Sequence, residues 1–396
     1  MQYRKFGKLD WKCSALGFGA MRLPTLGEDQ SKINEPEAIK MIRYALDNGV
    51  NYIDSAYMYH MGQSEILVGK ALKDGYRQKV KMATKMPARM VEKAEDFDRI
   101  LNEQVKKLDV GMIDFYLLHG LDKNGWAKMK EFKYLAWAEK QMAKGLIGRI
   151  GFSFHDTYDI FKDIVDSYDN WVLAQVQYNY MDENEQAGRK GVEYAAAKGI
   201  AIVVMEPLRG GKLSKEPPPK PVADVLARAK RQMKAVEWAL QWVWNQPEVS
   251  LALSGMSTME QVKQNVEIAN RSRPGLFKAA DQQVIKDIKA AYKSLTPIEC
   301  TQCRYCQPCP NNVEIPTVFR IYNDAVMYDD MKGGQFGYNG FFMPQDKRAD
   351  KCTRCGECLV KCPQKIEIPD WLEKVHAALY LKNPPPMPGA PPKKKE

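Results

Sequence analysis

The sequence predicts an α/β chain: a (β/α)8 barrel with an N-terminal hairpin, followed by a small, mainly helical C-terminal domain. Three observations predict it. Eight short apolar runs of strand length alternate with amphipathic segments of helix length up to about residue 270. No G-x-G-x-x-G opens a helix after the first run, which turns the reading from an open, doubly wound sheet to a closed parallel barrel. Finally, eight of the nine cysteines fall between Cys300 and Cys362, setting that stretch apart from everything before it.

At 396 residues the chain has room for one large domain and a smaller one. Hydrophobic residues at 45% and charged residues at 27% are ordinary for a soluble globular protein. No apolar run approaches the roughly 18 residues of a membrane span. Met1-Gln2-Tyr3-Arg4-Lys5 leads into polar sequence, so no signal peptide is expected and a cytoplasmic protein is the default. The net charge of +10 comes from basic residues mostly interspersed with acids. The one dense run, Lys393-Lys394-Lys395, lies in a Pro-rich tail, and no nucleic-acid motif is present.

Residues 3 to 13 alternate around Gly7-Lys8 as a hairpin would, and Ala15–Ala20 reads as the first buried strand with Cys13 packed beside it. The remaining strands are expected at Tyr52–Ala56, Val80–Lys85, Ile113–His119, Ile147–Phe154, Leu173–Tyr178, Ala201–Pro207 and Val249–Ser254. Helices are expected over Glu37–Asn48, Ser64–Lys73, Ala94–Leu108, Lys128–Ala143, Asp156–Tyr168, Glu183–Lys198, Lys230–Asn245 and Met259–Asn270; Gly49, Gly145 and Gly199 supply stop signals. Its prolines exclude Lys215–Pro221 from helix, leaving a surface loop. Gln282–Ser294 is a last helix and Thr296-Pro297 a boundary, giving a barrel over 1–294, a cysteine domain over 295–381 and a Pro/Lys-rich tail over 382–396.

Four polar residues stand at or just past successive strand ends: Asp54, Tyr59, Lys85 and His119. On such barrels that position reads as catalytic. Hydride arriving at a carbonyl carbon builds negative charge on oxygen, so a proton donor must stand beside it. A free Tyr, with a pKa of about 10, is a poor acid–base switch at neutral pH. A neighbouring Lys⁺ favours phenolate, and a carboxylate can fix the Lys. Tyr59 is therefore expected to act as general acid, Lys85 as its tuner, Asp54 as the partner of Lys85, and His119 as the donor orienting the carbonyl. A lone Tyr, Lys or His is more often structural; four in this order shift the balance to chemistry.

Asp54-Ser55-Ala56 with Tyr59, Gln63-Ser64-Glu65, Lys85, Leu117-Leu118-His119-Gly120, Ile150-Gly151-Phe152-Ser153, Gln175-Val176-Gln177-Tyr178-Asn179 and Glu206-Pro207-Leu208 together resemble the aldo-keto reductase family over roughly residues 1–290. The resemblance implies a small carbonyl or alcohol substrate and NAD(P)H, with Ser153 and Gln175 bonding the nicotinamide carboxamide. Met205 replaces the Tyr that commonly stacks on that ring, and Phe154 stands where the family often has Asn. Ser254, Gly255 and Asn265 fall at the adenine end. Many relatives carry a Lys and an Arg there for a 2′-phosphate, whereas this chain has Gly255 or Met256, and Gln261. NADH, NADPH held by Lys263, or another ligand all stay open.

The first cysteine run is Cys300-x2-Cys303-x2-Cys306-x2-Cys309-Pro310; the second is Cys352-x2-Cys355-x2-Cys358-x3-Cys362-Pro363. The second has the bacterial iron–sulfur spacing, in which a remote fourth Cys closes the neighbouring cluster. One [4Fe-4S] cluster is thus expected on Cys300, Cys303, Cys306 and Cys362, another on Cys352, Cys355, Cys358 and Cys309. Structural zinc is the competing reading. An internal repeat, Cys309–Pro316 against Cys362–Pro369, leads each time into a helix, Thr317–Tyr328 and Asp370–Tyr380, and resembles the helical two-cluster ferredoxin domain. Gly333–Phe342 reads as a Gly/aromatic loop covering a cluster.

Hydride transfer moves two electrons and such a cluster one, so wiring them needs an intermediate such as a flavin, for which Gly210-Gly211-Lys212 and Ser254-Gly255 are weak candidates. Three functions fit: an oxidoreductase whose clusters exchange electrons with ferredoxin or another redox protein; a conventional carbonyl reductase with structural clusters; and a non-enzymatic iron–sulfur carrier or redox sensor. The intact polar quartet counts against the last.

Overall fold

The computed structural model describes residues 1–27, 29–341, 343–382 and 384; the Lys393–Lys395 run, most of the expected tail and Phe342 lie outside the described residues. The chain forms two compact units. One holds Met1–Glu216 and Met233–Gln282; the other holds Pro217–Gln232 and the chain from Gln283 onward.

In the first unit, β1 (Tyr3–Lys5) and β2 (Lys12–Ser14) pair antiparallel, Tyr3 opposite Ser14. Eight further strands follow: β3 (Leu16–Gly19), β4 (Tyr52–Asp54), β5 (Lys81–Met86), β6 (Ile113–Leu121), β7 (Ile147–Phe154), β8 (Leu173–Gln177), β9 (Ala201–Met205) and β10 (Val249–Gly255). All pair parallel, and the sheet closes in the order β10-β3-β4-β5-β6-β7-β8-β9. Their side chains are buried on both faces, inside the barrel and under the helices, which is why they read as nearly continuous apolar runs.

The hairpin closes the end where the strands begin. Phe6, wholly buried, packs against Tyr52 and Phe115 with ring centres 6.0 and 5.0 Å away, and Trp11 lies edge-on to it at 5.1 Å. Burying a Phe of this kind contributes about 1.5–3 kcal/mol. Gly7 lets the turn form: its φ is +54°, and a Cβ there would lie 2.5 Å from the carbonyl oxygen of Gly199. Arg4 fixes the plug laterally by donating to the carbonyls of Val249 and Trp244, both at 2.7 Å. With that end shut, the strand C-termini form the accessible mouth.

The loop after β4 carries consecutive left-handed residues, His60 (φ 52°) and Met61 (φ 55°). His60 stabilises it: its Nε2 accepts from Leu23 N at 3.1 Å, so Nδ1 carries the proton and donates to the Gln30 carbonyl at 2.9 Å. Burial pulls the His60 pKa below its ordinary value. A group with a depressed folded-state pKa binds protons more readily when unfolded, so its stabilisation is present above about pH 6.5 and is lost as pH falls toward the folded value. Urea unfolding is expected to show lower stability at pH 5.5 than at pH 7.5, and His60→Gln is expected to flatten that difference.

Three local readings are corrected. The single helix expected over Lys128–Ala143 is two, Lys123–Glu131 and Tyr134–Ala143, broken at Lys133 with φ 57°. A helix spans Lys220–Arg228, beginning inside the segment expected to exclude one; Pro221 sits in its first turn, where a missing N–H costs nothing. Gly333–Phe341 is helical rather than a loop: an α-helix over Met331–Phe336 passes into a π-helical turn over Gly337–Phe341. Asp330 caps Gly333 N at 3.0 Å, and Asn339 donates to the carbonyls of Gln335 and Leu379, both at 2.7 Å.

In the second unit, helices Ile315–Met327 and Ile368–Leu379 share a core with Val318, Phe319, Leu372, Val375 and Leu379. The internal repeat appears in the backbone. Left-handed residues recur at matching places, Gln302, Arg304 and Asn312 in the first half and Arg354, Gly356 and Lys365 in the second. Tyr338 accepts from Ala349 N at 3.0 Å and shares a hydrogen bond with His376 Nδ1 at 2.7 Å, tying the π-helical turn to the second helix.

Candidate functional site

The four polar residues meet at the barrel mouth. Asp54 and Lys85 lie at its base, 2% and 1% exposed, while Tyr59 and His119 are half-buried above them. Lys85 Nζ donates to Asp54 Oδ1 at 2.5 Å, to the Ser55 carbonyl at 2.7 Å and to the Tyr59 hydroxyl at 3.4 Å. The Tyr59 and His119 rings stand edge to face at 5.8 Å.

Burial opposes the charge on Lys85, but Asp54 and Tyr59 more than offset it and hold the ammonium above its ordinary value. Burial pushes the Asp54 carboxyl up, with Lys85 pulling it back. For Tyr59 the expected direction is reversed. Burial raises the phenol, and this outweighs the lowering by Lys85. The phenol is therefore held in its protonated, donating form. His119 is driven well below its ordinary value by burial and by the positive charge of Lys85, His155 and Arg89. It is a neutral imidazole at pH 7. Arg89, exposed in the loop after β5, and His155, next after β7, escaped the sequence reading because single basic loop residues carry no pattern.

β6 is irregular between Leu118 and Leu121, where Gly120 has φ 64°. Such an irregularity re-aims a side chain, here that of His119. Ser153 Oγ accepts from Gly120 N at 2.7 Å and pins it, leaving its own O–H to donate elsewhere. Gln175 sits opposite Ser153 in register on β8, and its Oε1 is buried without a hydrogen-bond partner. An acceptor in that state fits an amide N–H₂, such as that of a nicotinamide carboxamide.

Met205 ends β9 half-buried, and the next turn is tight, with left-handed Glu206, Arg209, Gly210 and Gly211. Asp182 gathers this turn by accepting from Gln177, Asn179 and Arg209 at 3.0–3.1 Å. At β10, Asn265 donates to Ser254 Oγ at 3.0 Å, so these two buried groups satisfy each other. Gln261 Oε1 accepts from Ser257 N at 2.8 Å, and Thr258 caps the helix Met259–Asn270 by accepting from Gln261 N at 3.2 Å. Lys263 reaches the Tyr44 ring, 5.9 Å from its centre. The cation at this end comes from elsewhere. The methylenes of Arg22 lie against Gly255, where a Cβ would be 3.0 Å from Arg22 Cγ, and its guanidinium stands 3.7 Å from Glu206. Only folding brings the loop after β3 to the end of β10.

In the second unit, Cys300, Cys303, Cys306 and Cys362 line one cavity; Cys309, Cys352, Cys355 and Cys358 line another, which Cys306 also borders. Among the described residues no three His, Cys, Asp or Glu side chains converge as ligands of one ion would. Thiols spaced around a cavity suit a multi-iron cluster better than a single zinc. Burial pushes Cys306 and Cys358 up to about 11, so ligation must release protons. Cys362→Ser is expected to empty the first cavity alone, lowering bound iron from about eight atoms per chain to about four. Iron analysis and the visible spectrum check it; loss of both clusters, or neither, would contradict that partition.

Comparison with known proteins gives two family matches, the first of which also takes in Pro217–Gln232 and runs past Gln282. Residues 15–293 match the Aldo/keto reductase family and residues 299–367 the 4Fe-4S dicluster domain. An uncharacterized oxidoreductase, YqkF, of Bacillus subtilis is 27% identical over 329 residues, 74% of this chain and 100% of its own. L-galactose dehydrogenase of Arabidopsis thaliana is 25% identical over 311 residues, 73% of this chain and 94% of its own. The solved structure of aldo-keto reductase AKR11C1 from Bacillus halodurans in its holo form superposes with a TM-score of 0.61 at 26% identity, covering 73% of this chain and 96% of that one. Among the described residues no helix is long and apolar enough to cross a membrane.

Proposed function

The chain belongs to the aldo/keto reductase family and carries a 4Fe-4S dicluster domain, and from that premise we propose that it is a cytoplasmic oxidoreductase that interconverts a small carbonyl compound and its alcohol at Tyr59. The observation that carries this is the buried chain of Asp54, Lys85 and Tyr59, with Lys85 Nζ 2.5 Å from the carboxylate and 3.4 Å from the phenol. In this reading Tyr59 gives its proton to the carbonyl oxygen as charge develops there. Lys85 steadies the phenolate left behind, Asp54 holds Lys85, and neutral His119 donates a hydrogen bond that orients the carbonyl. A bound nicotinamide would supply the hydride. Gln175 Oε1 and the Ser153 hydroxyl are the groups that would hold its carboxamide, with Met205 packed on the ring. Ser254, Gly255, Asn265 and the nearby Arg22 would flank the adenine end.

In the second unit the two rings of four thiols would hold the clusters, which supply one-electron transfer and a path to a ferredoxin or similar redox protein. The test is an anaerobic visible spectrum of iron-replete protein before and after NADH, then NADPH, with aldehyde turnover followed in the same samples. Aldehyde-dependent nucleotide oxidation is expected. Bleaching of the iron–sulfur absorbance by nucleotide would join the two centres in one electron path; turnover without bleaching would assign the clusters a structural role. Absence of turnover with either nucleotide would overturn the reductase reading.

A further inference from the structure

Lys85 is held from outside the barrel as well as from within. Side chains alternate along β5, so Lys85 faces the mouth and Thr84 the helix layer. There Thr84 Oγ1 donates to Glu65 Oε1 at 2.6 Å. Gln104 Nε2 donates to the same oxygen at 2.6 Å and to the Lys85 carbonyl at 3.1 Å. Tyr116 donates to Gln104 Oε1 at 2.6 Å, so the Gln104 amide is fixed in orientation. Glu65 is wholly buried, and its second oxygen has no hydrogen-bond partner, with Lys107 Nζ at 3.9 Å. A buried carboxylate is costly, and an apolar side chain would fill the same space between helix and strand without that penalty.

The helix that carries Gln104, Asp96–Leu108, also reaches the loop that carries Tyr59. Tyr57, two residues before Tyr59, donates to Glu103 Oε2 at 2.5 Å, and Lys107 Nζ lies 4.2 Å from the Tyr57 ring centre. One helix thus grips the strand of Lys85 and the loop of Tyr59. At 3.4 Å their own hydrogen bond is long, in the range where a few tenths of an ångström change its strength steeply.

We propose that Glu65, Gln104 and Tyr57 are positioning residues: a brace on the outer face of the barrel that sets the separation between Lys85 Nζ and the Tyr59 hydroxyl. The brace rests on the reading of Tyr59 as the proton donor. Besides Lys85, the charged or titratable groups facing that phenol are Asp54, His119 and, farther off, Glu206, and the brace touches none of them directly except through Lys85.

The test compares Glu65→Leu, Gln104→Leu and Glu65→Gln in full-length, iron-replete protein, using reduction of 4-nitrobenzaldehyde and crystal structures. The two leucine variants are expected to lose about tenfold in kcat with KM for the nucleotide changed less than about twofold, since misplacement acts on the reacting geometry. The alkaline limb of kcat/KM is expected to move to higher pH, because the ammonium that favours phenolate stands farther off. In the crystals the Lys85–Tyr59 separation lengthens. Glu65→Gln keeps an accepting oxygen and is expected to stay near the wild type. Should the leucine variants not fold, Tyr57→Phe keeps the packing and is expected to move the limb the same way with a drop of about threefold. A fall in kcat with both limb and separation unmoved would reduce the brace to a folding element and overturn the proposal. A wild type without turnover would defeat the reductase reading instead, while the crystallographic separation would still decide the brace.

Discussion

Tyr59→Phe is expected to lower kcat for aldehyde reduction by about 10²–10⁴-fold, the range a positioned proton donor contributes, and to leave the iron–sulfur absorbance unchanged. The substitution removes one oxygen. The ring edge against His119 at 5.8 Å stays, and Lys85 keeps its two shorter partners, Asp54 Oδ1 at 2.5 Å and the Ser55 carbonyl at 2.7 Å. The barrel should therefore fold as before, which urea unfolding checks, and the lost rate reports the proton. If rate survives, the proton comes from another group, and His119 is the neighbour to replace next. Loss of rate with both clusters retained would exclude a carrier or sensor on a passive barrel.

Lys85→Met is expected to cost about 3–5 kcal/mol of stability in addition to activity, the usual penalty for leaving half of a buried ion pair. Asp54 is 2% exposed, so the charge left behind is shut away from water. The double variant Asp54→Leu with Lys85→Met removes both charges and is expected to recover most of the stability and none of the turnover, because buried pairs roughly break even against apolar replacements. Tryptophan fluorescence in urea gives the comparison. A single variant as stable as wild type would mean that Asp54 takes up a proton or that water reaches it.

The barrel was legible because its strands are buried on both faces and so appear as runs, and because Asp54, Tyr59, Lys85 and His119 interrupt those runs at the same end. The two cysteine runs were legible from spacing alone, and thiols of both runs line each of the two cavities. The left-handed turn at His60 and Met61 was not, since neither residue type announces positive φ and the conformation is sustained by tertiary bonds to Leu23 and Gln30. The helix Lys220–Arg228 was hidden by prolines whose effect depends on whether they fall before or inside the first turn. Arg22 could not be placed at the end of β10, because its neighbours Gly255 and Glu206 are far along the chain. The direction of the Tyr59 shift was misjudged for a related reason: charge partners can be guessed from sequence, but the depth at which they meet cannot.

The crossing of thiols between the two cysteine runs also imposes an order in time. The cavity lined by Cys300, Cys303 and Cys306 is completed by Cys362, and the one lined by Cys352, Cys355 and Cys358 by Cys309. During synthesis from the N-terminus, neither set of four exists until the second run has left the ribosome. On the proposed partition a chain interrupted between Cys309 and Cys352 carries a full set for neither, which would put cluster loading after synthesis of the second run and of the whole barrel sequence.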